Sequence, residues 1–217
     1  MRKLFDYSLY LVTDRALSNP RTIEEVVSSA VSGGVTAVQL REKDCSTREY
    51  IDLALKLQRI LIPLNIPLII NDRIDVALAV NADGVHIGQN DMPFNDVRRL
   101  MGQDAVIGLS VETLEQAIEA EKLDADYLGV SPIFKTPTKT DTAAEWGIEG
   151  LKALSKRSSH KLIAIGGINK SNAEAVLNAG ADGLAVVSAI CSEPDPEEAA
   201  RQLRVIIRKN REAEGRQ

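Results

Sequence analysis

Short apolar stretches alternate along the chain with longer segments whose apolar residues recur every three or four positions. Eight of these stretches have the length and the Val, Ile and Leu content of buried strands. They cover residues 8–14, 36–40, 67–72, 84–88, 105–110, 126–131, 161–167 and 183–190. Between them, residues such as Ile51, Leu55 and Ile62 follow helical spacing. The pattern therefore predicts strands and helices in alternation.

Several of the predicted helices open with a capping box, in which a hydroxyl residue precedes a glutamate by three positions. The pairs are Thr22 with Glu25, Ser46 with Glu49, and Ser171 with Glu174. In this motif the two side chains accept the backbone N–H groups that the first helical turn leaves unpaired.

A weak internal repeat supports the same architecture. The segments SGGVTAVQL, NADGVHIG, LDADYLGV and NAGADGLAVV each leave a helix through small or acidic residues and enter a strand. Strands that are apolar on both faces and separated by helices pair in parallel with right-handed crossovers. Eight such units predict a single (β/α)8 TIM barrel, and a doubly wound open sheet is the alternative. We expect one domain over residues 1–217, with a core at about 8–200 and a C-terminal tail at 208–217.

The composition limits the kinds of molecule that the protein is expected to bind. The chain has 217 residues, 44% hydrophobic content, a formal net charge of −5 and a pI near 5.2. This balance gives no general attraction to nucleic acid or to an anionic membrane, and no apolar run is long enough for a membrane span or a signal peptide. We expect a cytoplasmic protein with small-molecule substrates, and the sequence leaves room for a homo-oligomer. Cys45 and Cys191 lack metal-like spacing and are expected to be free thiols.

Polar residues follow the predicted strands at their carboxyl ends, where a barrel of this type carries its active site. Gln39, Arg41 and Lys43 share one face by the period of two, whereas Glu42 and Asp44 face the other way. The next strands add further candidates: Asn71, Asp72, His86, Gln89, Asp91 and Ser110.

Two aspartates from neighbouring strand ends suit Mg²⁺, which proteins hold through one or two carboxylates while phosphate and water complete the octahedron. Asp72 and Asp91 are the predicted metal ligands, and Arg41 and Lys43 could bind phosphate oxygens. A surface salt-bridge network among these four residues is the alternative. Zinc fits less well because His86 lacks nitrogen and sulfur companions, and this histidine could simply pack in its strand.

A second anion site is predicted where the last two strands end. Gly166 and Gly167 close the seventh strand, and Val187 and Ser188 close the eighth. Loops after these strands commonly bind phosphate through backbone N–H groups in this fold, although close backbone packing would also explain the glycines.

The polar segment 134–147 is longer than the usual connection and could act as a lid. Thr136, Thr138 and Lys139 would supply donors for phosphate, and Trp146-Gly147 could anchor or hinge it. A solvated loop is the alternative.

The motifs together resemble the thiamine phosphate synthase family over roughly residues 8 to 200. The stretches that carry the resemblance are QLREKD (39–44), PLIINDRIDVALAVNADGVHIGQND (67–91), GLS (108–110), GVSPIFKTPTKTDT (129–142), IAIGGI (163–168) and VVSAI (186–190). Two departures occur, because Ser131 stands where the family often has glycine and Lys135 where proline is common.

The resemblance implies an enzyme that joins an aminomethylpyrimidine diphosphate to a thiazole phosphate, or to its carboxylated form, and releases pyrophosphate through a carbocation-like intermediate. It implies one Mg²⁺ per subunit on Asp72 and Asp91. It assigns the pyrimidine diphosphate to the segment with Gln39, Leu40, Arg41, Glu42 and Lys43, together with Asn71, Ser110 and Lys139. It assigns the thiazole phosphate to Thr136, Pro137, Thr138, Gly166, Gly167, Val187 and Ser188. Arg41, Lys43, Lys139 and Ser110 are the expected catalytic residues.

Three other functions remain open at this level. A thiazole tautomerase on a similar barrel would not need diphosphate and metal ligands. A phosphosugar isomerase or epimerase would need an acid/base pair instead. A non-catalytic binder of thiamine precursors could carry the same residues and would bind without turnover.

Overall fold

Eight parallel strands close into a barrel in the order in which they occur along the chain. The structure is a computed structural model, and it describes residues 5–136, 145–213 and 215. The strands are β1 (Leu9–Val12), β2 (Ala37–Leu40), β3 (Leu68–Asn71), β4 (Gly84–Ile87), β5 (Val106–Val111), β6 (Tyr127–Val130), β7 (Leu162–Ile165) and β8 (Gly183–Val186). Seven of the strands lie within the predicted stretches and β5 runs one residue past its stretch, to Val111, so the (β/α)8 prediction is confirmed and the open sheet is excluded.

Helices connect the strands and cover the outside of the barrel. They are α1 (Arg15–Ser18), α2 (Ile23–Ser32), α3 (Thr47–Leu61), α4 (Ile74–Val80), α5 (Phe94–Met101), α6 (Leu114–Ala120), α7 (Gly147–Ser155), α8 (Ala173–Asn178), α9 (Ser188–Cys191) and α10 (Pro196–Ala213). A short 3-10 turn, Ile62–Leu64, follows α3. Of these helices, none combines the length and the apolar character needed to span a membrane, counting only the described part of the chain.

The helix starts agree with the sequence in two of three cases. Capping boxes form at Thr22 before α2 and at Ser46 before α3. The third prediction is wrong, because α8 begins after Asn172 and Ser171 hydrogen-bonds the side chain of Asn169 instead. The Ser171 hydroxyl, which the sequence pattern predicted to cap the helix, therefore bonds Asn169.

The eighth predicted strand and the predicted C-terminal tail also differ from the structure. The eighth apolar stretch does not continue as a strand to residue 190, because the chain turns into α9 at Ser188. In the predicted tail, residues 208–213 form the last turns of α10.

The barrel has two apolar cores because successive side chains of each strand point to opposite faces. Residues that face outward, such as Leu9, Leu11 and Leu40, pack against the helices in one large cluster. Inside the barrel lies a smaller cluster that is rich in aromatic rings. Its members are Phe5, Tyr7, Tyr10, Val12, Ala37, Ile69, Val106, Tyr127, Ile163 and Ala185. This interior column forms the floor beneath the carboxyl ends of the strands.

One hydrogen-bond pattern occurs four times at the amino-terminal end of the barrel. The residue just before an even strand accepts the N–H of the residue at or near the start of the preceding odd strand. The acceptors and donors are Thr36 Oγ1 with Leu9 (3.1 Å), Asp83 Oδ2 with Leu68 (3.0 Å), Asp126 Oδ2 with Ile107 (2.8 Å) and Asp182 Oδ2 with Leu162 (2.9 Å). The internal repeat in the sequence therefore corresponds to a structural clasp between paired strands.

Candidate active site

A cavity of about 330 Å³ opens at the carboxyl ends of the strands. Twelve of the predicted site residues line it, from strands on every side of the barrel. They are Gln39, Arg41, Lys43, Asn71, Asp72, Asp91, Ser110, Thr136, Gly166, Gly167, Val187 and Ser188. The barrel thus brings the two predicted anion regions to opposite walls of one cavity.

Two predicted residues do not present their side chains to this cavity. Leu40 is fully buried in the outer core, between its strand and the helices. Glu42 accepts a hydrogen bond from Arg15 Nε at 2.9 Å, and its side chain is only 4% exposed. Alternation along β2 explains both cases, because every second side chain must leave the barrel interior. Leu40 and Glu42 thus belong to the predicted pyrimidine-diphosphate segment, but their side chains point away from the cavity.

Asp72 sits in a tight turn directly after β3. Its φ is +60°, in the left-handed region that non-glycine residues seldom adopt, and the N–H of Arg73 donates to the carbonyl of Asn71 at 2.7 Å. The N–H of Asp72 donates to the carbonyl of His86 on β4 at 2.9 Å. These bonds hold a costly backbone conformation, which is typical of functional positions.

The carboxyl group of Asp72 lies close enough to that of Asp91 for the charge of Asp91 to act on it. Asp91 is itself held in place because its Oδ2 accepts the N–H of Gly88 at 2.7 Å. Burial and, after it, the negative charge of Asp91 together raise the pKa of Asp72 to about 6, while Lys43 opposes the rise. Two close carboxyl groups of this kind share either a proton or a cation.

The donor set at this position fits Mg²⁺. Two carboxylates from neighbouring strand ends are what Mg²⁺ takes from a protein when substrate phosphate and water supply its other ligands. Within the described residues, no group of three or more His, Cys, Asp and Glu side chains could hold a metal unaided. The residues therefore fit a metal that arrives with a phosphate ligand better than a closed zinc centre.

Arg41 and Lys43 line the same wall but do not neutralise the aspartate pair directly. Among the described residues, Arg41 forms an ion pair with Asp14, whose carboxylate lies 3.9 Å from Nη1. Of the described ion pairs within 4.0 Å, none joins Arg41 or Lys43 to Asp72 or Asp91. The surface salt-bridge network is thus not formed, and both cations face the cavity with capacity to bind an anion.

The glycine pair after β7 meets the loop after β6 at close range. Gly166 and Gly167 have φ of +102° and +67°, and a Cβ on Gly167 would lie 2.8 Å from the Cβ of Phe134. The N–H of Phe134 donates to the carbonyl of Gly166 at 3.1 Å. Close backbone packing and the left-handed turn both require glycine here. The same turn leaves both residues on the cavity wall.

Pro137, Thr138 and Lys139 lie outside the described residues, as does most of the predicted lid. The two described ends of this segment are fixed at the rim of the cavity. Thr136 lines the cavity at one end. At the other, the N–H of Trp146 donates to Pro132 O at 2.9 Å and its indole Nε1 donates to Val111 O at 3.3 Å. These bonds agree with the predicted anchoring role of Trp146.

The sequence prediction missed the polar floor of the cavity. Tyr10 and Tyr127 are almost completely buried, yet both line the cavity from below together with His86. Their alternation with outward-facing neighbours in LYLV and YLGV was the available signal. It was not decisive, because a tyrosine at an inward position is equally compatible with simple packing.

Comparisons with known proteins give one consistent result. A sequence model described as thiamine monophosphate synthase matches residues 9–190. A "Thiamine-phosphate synthase" of Albidiferax ferrireducens is 57% identical over 199 residues, covering 92% of this chain and 91% of the relative. One of Syntrophomonas wolfei is 52% identical over 205 residues, covering 94% and 98%. The solved structure of a thiamine phosphate pyrophosphorylase from Pyrococcus furiosus superposes with a TM-score of 0.87 at 40% identity, covering 94% and 97%.

Proposed function

The chain belongs to the thiamine monophosphate synthase family, and we propose that its cavity joins an aminomethylpyrimidine diphosphate to a thiazole phosphate. The family activity is that of a transferase of thiamine biosynthesis acting on small molecules. The proposal rests on one observation. Two walls that suit anions face each other in a single cavity. One wall has Arg41 and Lys43 beside an aspartate pair, and the other has the glycine turn after β7.

The diphosphate is assigned to the wall formed by β2, β3 and β4. Departure of pyrophosphate leaves negative charge on its oxygens, so cations fixed before the reaction stabilise the transition state more than the substrate. Arg41 and Lys43 are placed to bind those oxygens, and Ser110 can donate a hydrogen bond from β5. When bound to Asp72 and Asp91, Mg²⁺ would supply further charge neutralisation at the leaving group.

The thiazole phosphate is assigned to the opposite wall. Gly166, Gly167, Val187 and Ser188 line it, and the left-handed turn at the glycines exposes backbone rather than side chain to the cavity. Backbone N–H groups in such a turn suit a phosphate. The two substrates would then meet above the aromatic floor, with the thiazole nitrogen facing the pyrimidine methylene carbon.

The reaction needs no strong general base, because the attacking thiazole nitrogen already carries a lone pair. A dissociative displacement instead needs a site that stabilises the leaving pyrophosphate and limits access of water to the cation. The lining fits this need, since among the described residues it has two cations, three carboxylates and a single histidine. A tautomerase would use a proton-transfer pair. It would not need diphosphate and metal ligands such as Arg41, Lys43, Asp72 and Asp91. A homo-oligomer and a cytoplasmic location stay predictions from the sequence.

The test is a coupling assay with the purified protein, the pyrimidine diphosphate, the thiazole phosphate and Mg²⁺, with and without EDTA. We expect thiamine phosphate and pyrophosphate in equal amounts, and we expect EDTA to suppress both. Formation of neither product, with the thiazole phosphate still bound, would replace the proposal by the tautomerase or the non-catalytic binder. Equal turnover with EDTA would overturn the metal part alone.

A further inference from the structure

Five polar side chains form an unbroken series of hydrogen bonds across the floor of the cavity. Gln39 Nε2 donates to the Tyr10 hydroxyl at 3.1 Å, and the hydroxyls of Tyr10 and Tyr127 are 2.9 Å apart. The Tyr127 hydroxyl lies 3.0 Å from His86 Nδ1, and His86 Nε2 lies 2.9 Å from Ser110 Oγ. The series runs from β2 through β1, β6 and β4 to β5, where it reaches a predicted catalytic residue.

The donor at the Gln39 end gives the series one consistent direction. An amide nitrogen can only donate, so the Tyr10 oxygen accepts from Gln39, and a series that continues in the same direction has the Tyr10 hydroxyl donating to Tyr127. Tyr127 then uses its hydrogen toward His86 Nδ1, which makes this nitrogen the acceptor. A neutral imidazole with an accepting Nδ1 carries its proton on Nε2 and donates it to Ser110.

We infer that this relay holds His86 as a positioning residue in the Nε2–H tautomer, so that Ser110 turns its hydroxyl hydrogen toward the substrate. In this direction the Ser110 oxygen accepts from His86 Nε2, 2.9 Å away, and its own hydrogen is left for the cavity that Ser110 lines. A donor directed at a leaving diphosphate oxygen is what the transition state needs. This inference rests on the proposed function for its catalytic consequence, although not for the direction of the relay.

The packing around the relay brings its two rings into close contact with the neighbouring strands. Gly108 and Gly129 stand beside the rings on β5 and β6. A Cβ on Gly129 would lie 2.8 Å from His86 Cε1, and a Cβ on Gly108 would overlap the Tyr127 ring. The His86 ring stacks on Tyr127 with centroids 5.5 Å apart. Glycine at both positions therefore provides the space that the two rings fill.

The backbone of Ser110 is fixed as well. Its carbonyl accepts a hydrogen bond from Gln89 Nε2 at 2.6 Å, at the rim of the cavity. With the carbonyl and the Oγ both engaged, the hydroxyl hydrogen is the part of Ser110 that can still reorient. Its direction follows from the tautomer of His86, which is why a histidine that touches no reacting atom would affect the reaction.

The first test reads the tautomer directly. The chain has two histidines, so ¹⁵N-histidine labelling gives two sets of ring signals, and the set lost in His86→Gln belongs to His86. At about pH 8 a neutral imidazole gives one protonated nitrogen signal and one bare, acceptor-type signal. We expect the proton on Nε2 and a bare Nδ1. A proton on Nδ1 would mean that the relay runs in the opposite direction, and would overturn the inference.

The second test separates the relay from simple packing by using two matched variants. Tyr127→Phe removes the donor to Nδ1. Tyr7→Phe makes the same change in the same aromatic column, with ring centroids 5.1 Å from Tyr127, but its hydroxyl is not in the relay. We expect Tyr127→Phe to lower kcat about 10-fold and to mix the two tautomers of His86. We expect Tyr7→Phe to leave the tautomer fixed and kcat within about 2-fold.

A third comparison uses the geometry of the histidine ring. A glutamine at position 86 can place an N–H donor where Nε2 stands, whereas an asparagine reaches only the position of Nδ1. We expect His86→Gln to retain kcat within about 3-fold and His86→Asn to lose roughly 10- to 100-fold. Equal loss in both, or equal kcat in Tyr127→Phe and Tyr7→Phe, would overturn the catalytic role. If the native protein makes no thiamine phosphate at all, the proposed function fails, and the tautomer measurement still decides the direction of the relay.

Discussion

Asp72 and Asp91 bring two carboxyl groups together at the ends of β3 and β4, close enough for the charge of Asp91 to raise the pKa of Asp72. Asp72 holds its carboxyl group there from a left-handed backbone conformation, and Asp91 is held by the N–H of Gly88. Bringing two carboxyl groups together in a half-buried cavity costs free energy unless a proton or a cation lies between them. The arrangement therefore prepares a place for positive charge.

Replacing Asp72 by Asn tests that role with little change in shape. Asn also tolerates the left-handed conformation, so we expect the fold to be kept. Loss of one carboxylate should weaken Mg²⁺ binding and lower kcat by roughly 100-fold, because charge on the leaving pyrophosphate is no longer balanced. The measurement is product formation as a function of Mg²⁺ concentration.

Asp75→Asn is the matched control for this change. Asp75 lies three residues further along the chain, is exposed, and pairs with Arg73 rather than facing the cavity. Its variant should keep the native Mg²⁺ dependence. An Asp72→Asn enzyme with unchanged kcat at saturating Mg²⁺ would contradict the assignment.

Arg41 and Arg15 offer a second comparison within one region. Arg41 lines the cavity, whereas Arg15 pairs with Glu42 on the outer side of the barrel. We expect Arg41→Gln to lower kcat about 10- to 100-fold, because a charge-assisted contact to the leaving group is lost. Arg15→Gln should change kcat less than 2-fold, since Arg15 does not line the cavity. Steady-state kinetics with both variants decides the matter, and a similar loss in both would speak against the proposed diphosphate wall.

Gly167→Ala should disturb the thiazole phosphate wall. Its φ of +67° and the 2.8 Å approach of a Cβ to Phe134 leave no room for a methyl group. We expect a loss of about 1–3 kcal/mol in the free energy of unfolding and a higher KM for the thiazole phosphate. Gly150→Ala is the control, because a Cβ there meets Trp146 at an ordinary 3.4 Å within α7. Unchanged KM in Gly167→Ala would argue against a phosphate at this turn.

Asp182→Ala tests the clasp at the opposite end of the barrel. Its Oδ2 accepts the N–H of Leu162 at 2.9 Å, and removing it leaves that donor unpaired. We expect the free energy of unfolding to fall by about 1–3 kcal/mol in urea titrations. Activity per folded molecule should not change, since the clasp is remote from the cavity. Asp182→Asn, which keeps an acceptor, should recover part of the loss, and an Ala variant as stable as the native protein would contradict the role.

The sequence predicted most of the fold because the fold depends on local patterns. Apolar runs, capping boxes and the Gly/Asp entries to strands are features of neighbouring residues, and they gave all eight strands and the barrel. Ser171 was the exception, because its partner Asn169 lies upstream of the box and competes for the hydroxyl. A local sequence pattern does not show which of two possible partners a hydroxyl will bond.

The site was predicted less completely, for a different reason. Alternation along β2 already indicated that Glu42 faces away, while the family resemblance placed it in the substrate segment; the structure agrees with the alternation. The floor of the cavity depends on pairs that are far apart in sequence, such as Tyr10 with Tyr127 and His86 with Ser110. Their contact exists only once the barrel has closed, so no window of sequence contains it.

The four clasps at the amino-terminal end bear on the order in which the chain assembles. Each joins an odd strand to the even strand that follows it, across 27, 15, 19 and 20 residues. Contacts over such short separations form early and cost little chain entropy, whereas pairing β8 with β1 must wait for almost the whole polypeptide. We expect the barrel to form from four two-strand units in succession. The pairing of β1 with β8, which closes the barrel, should come last.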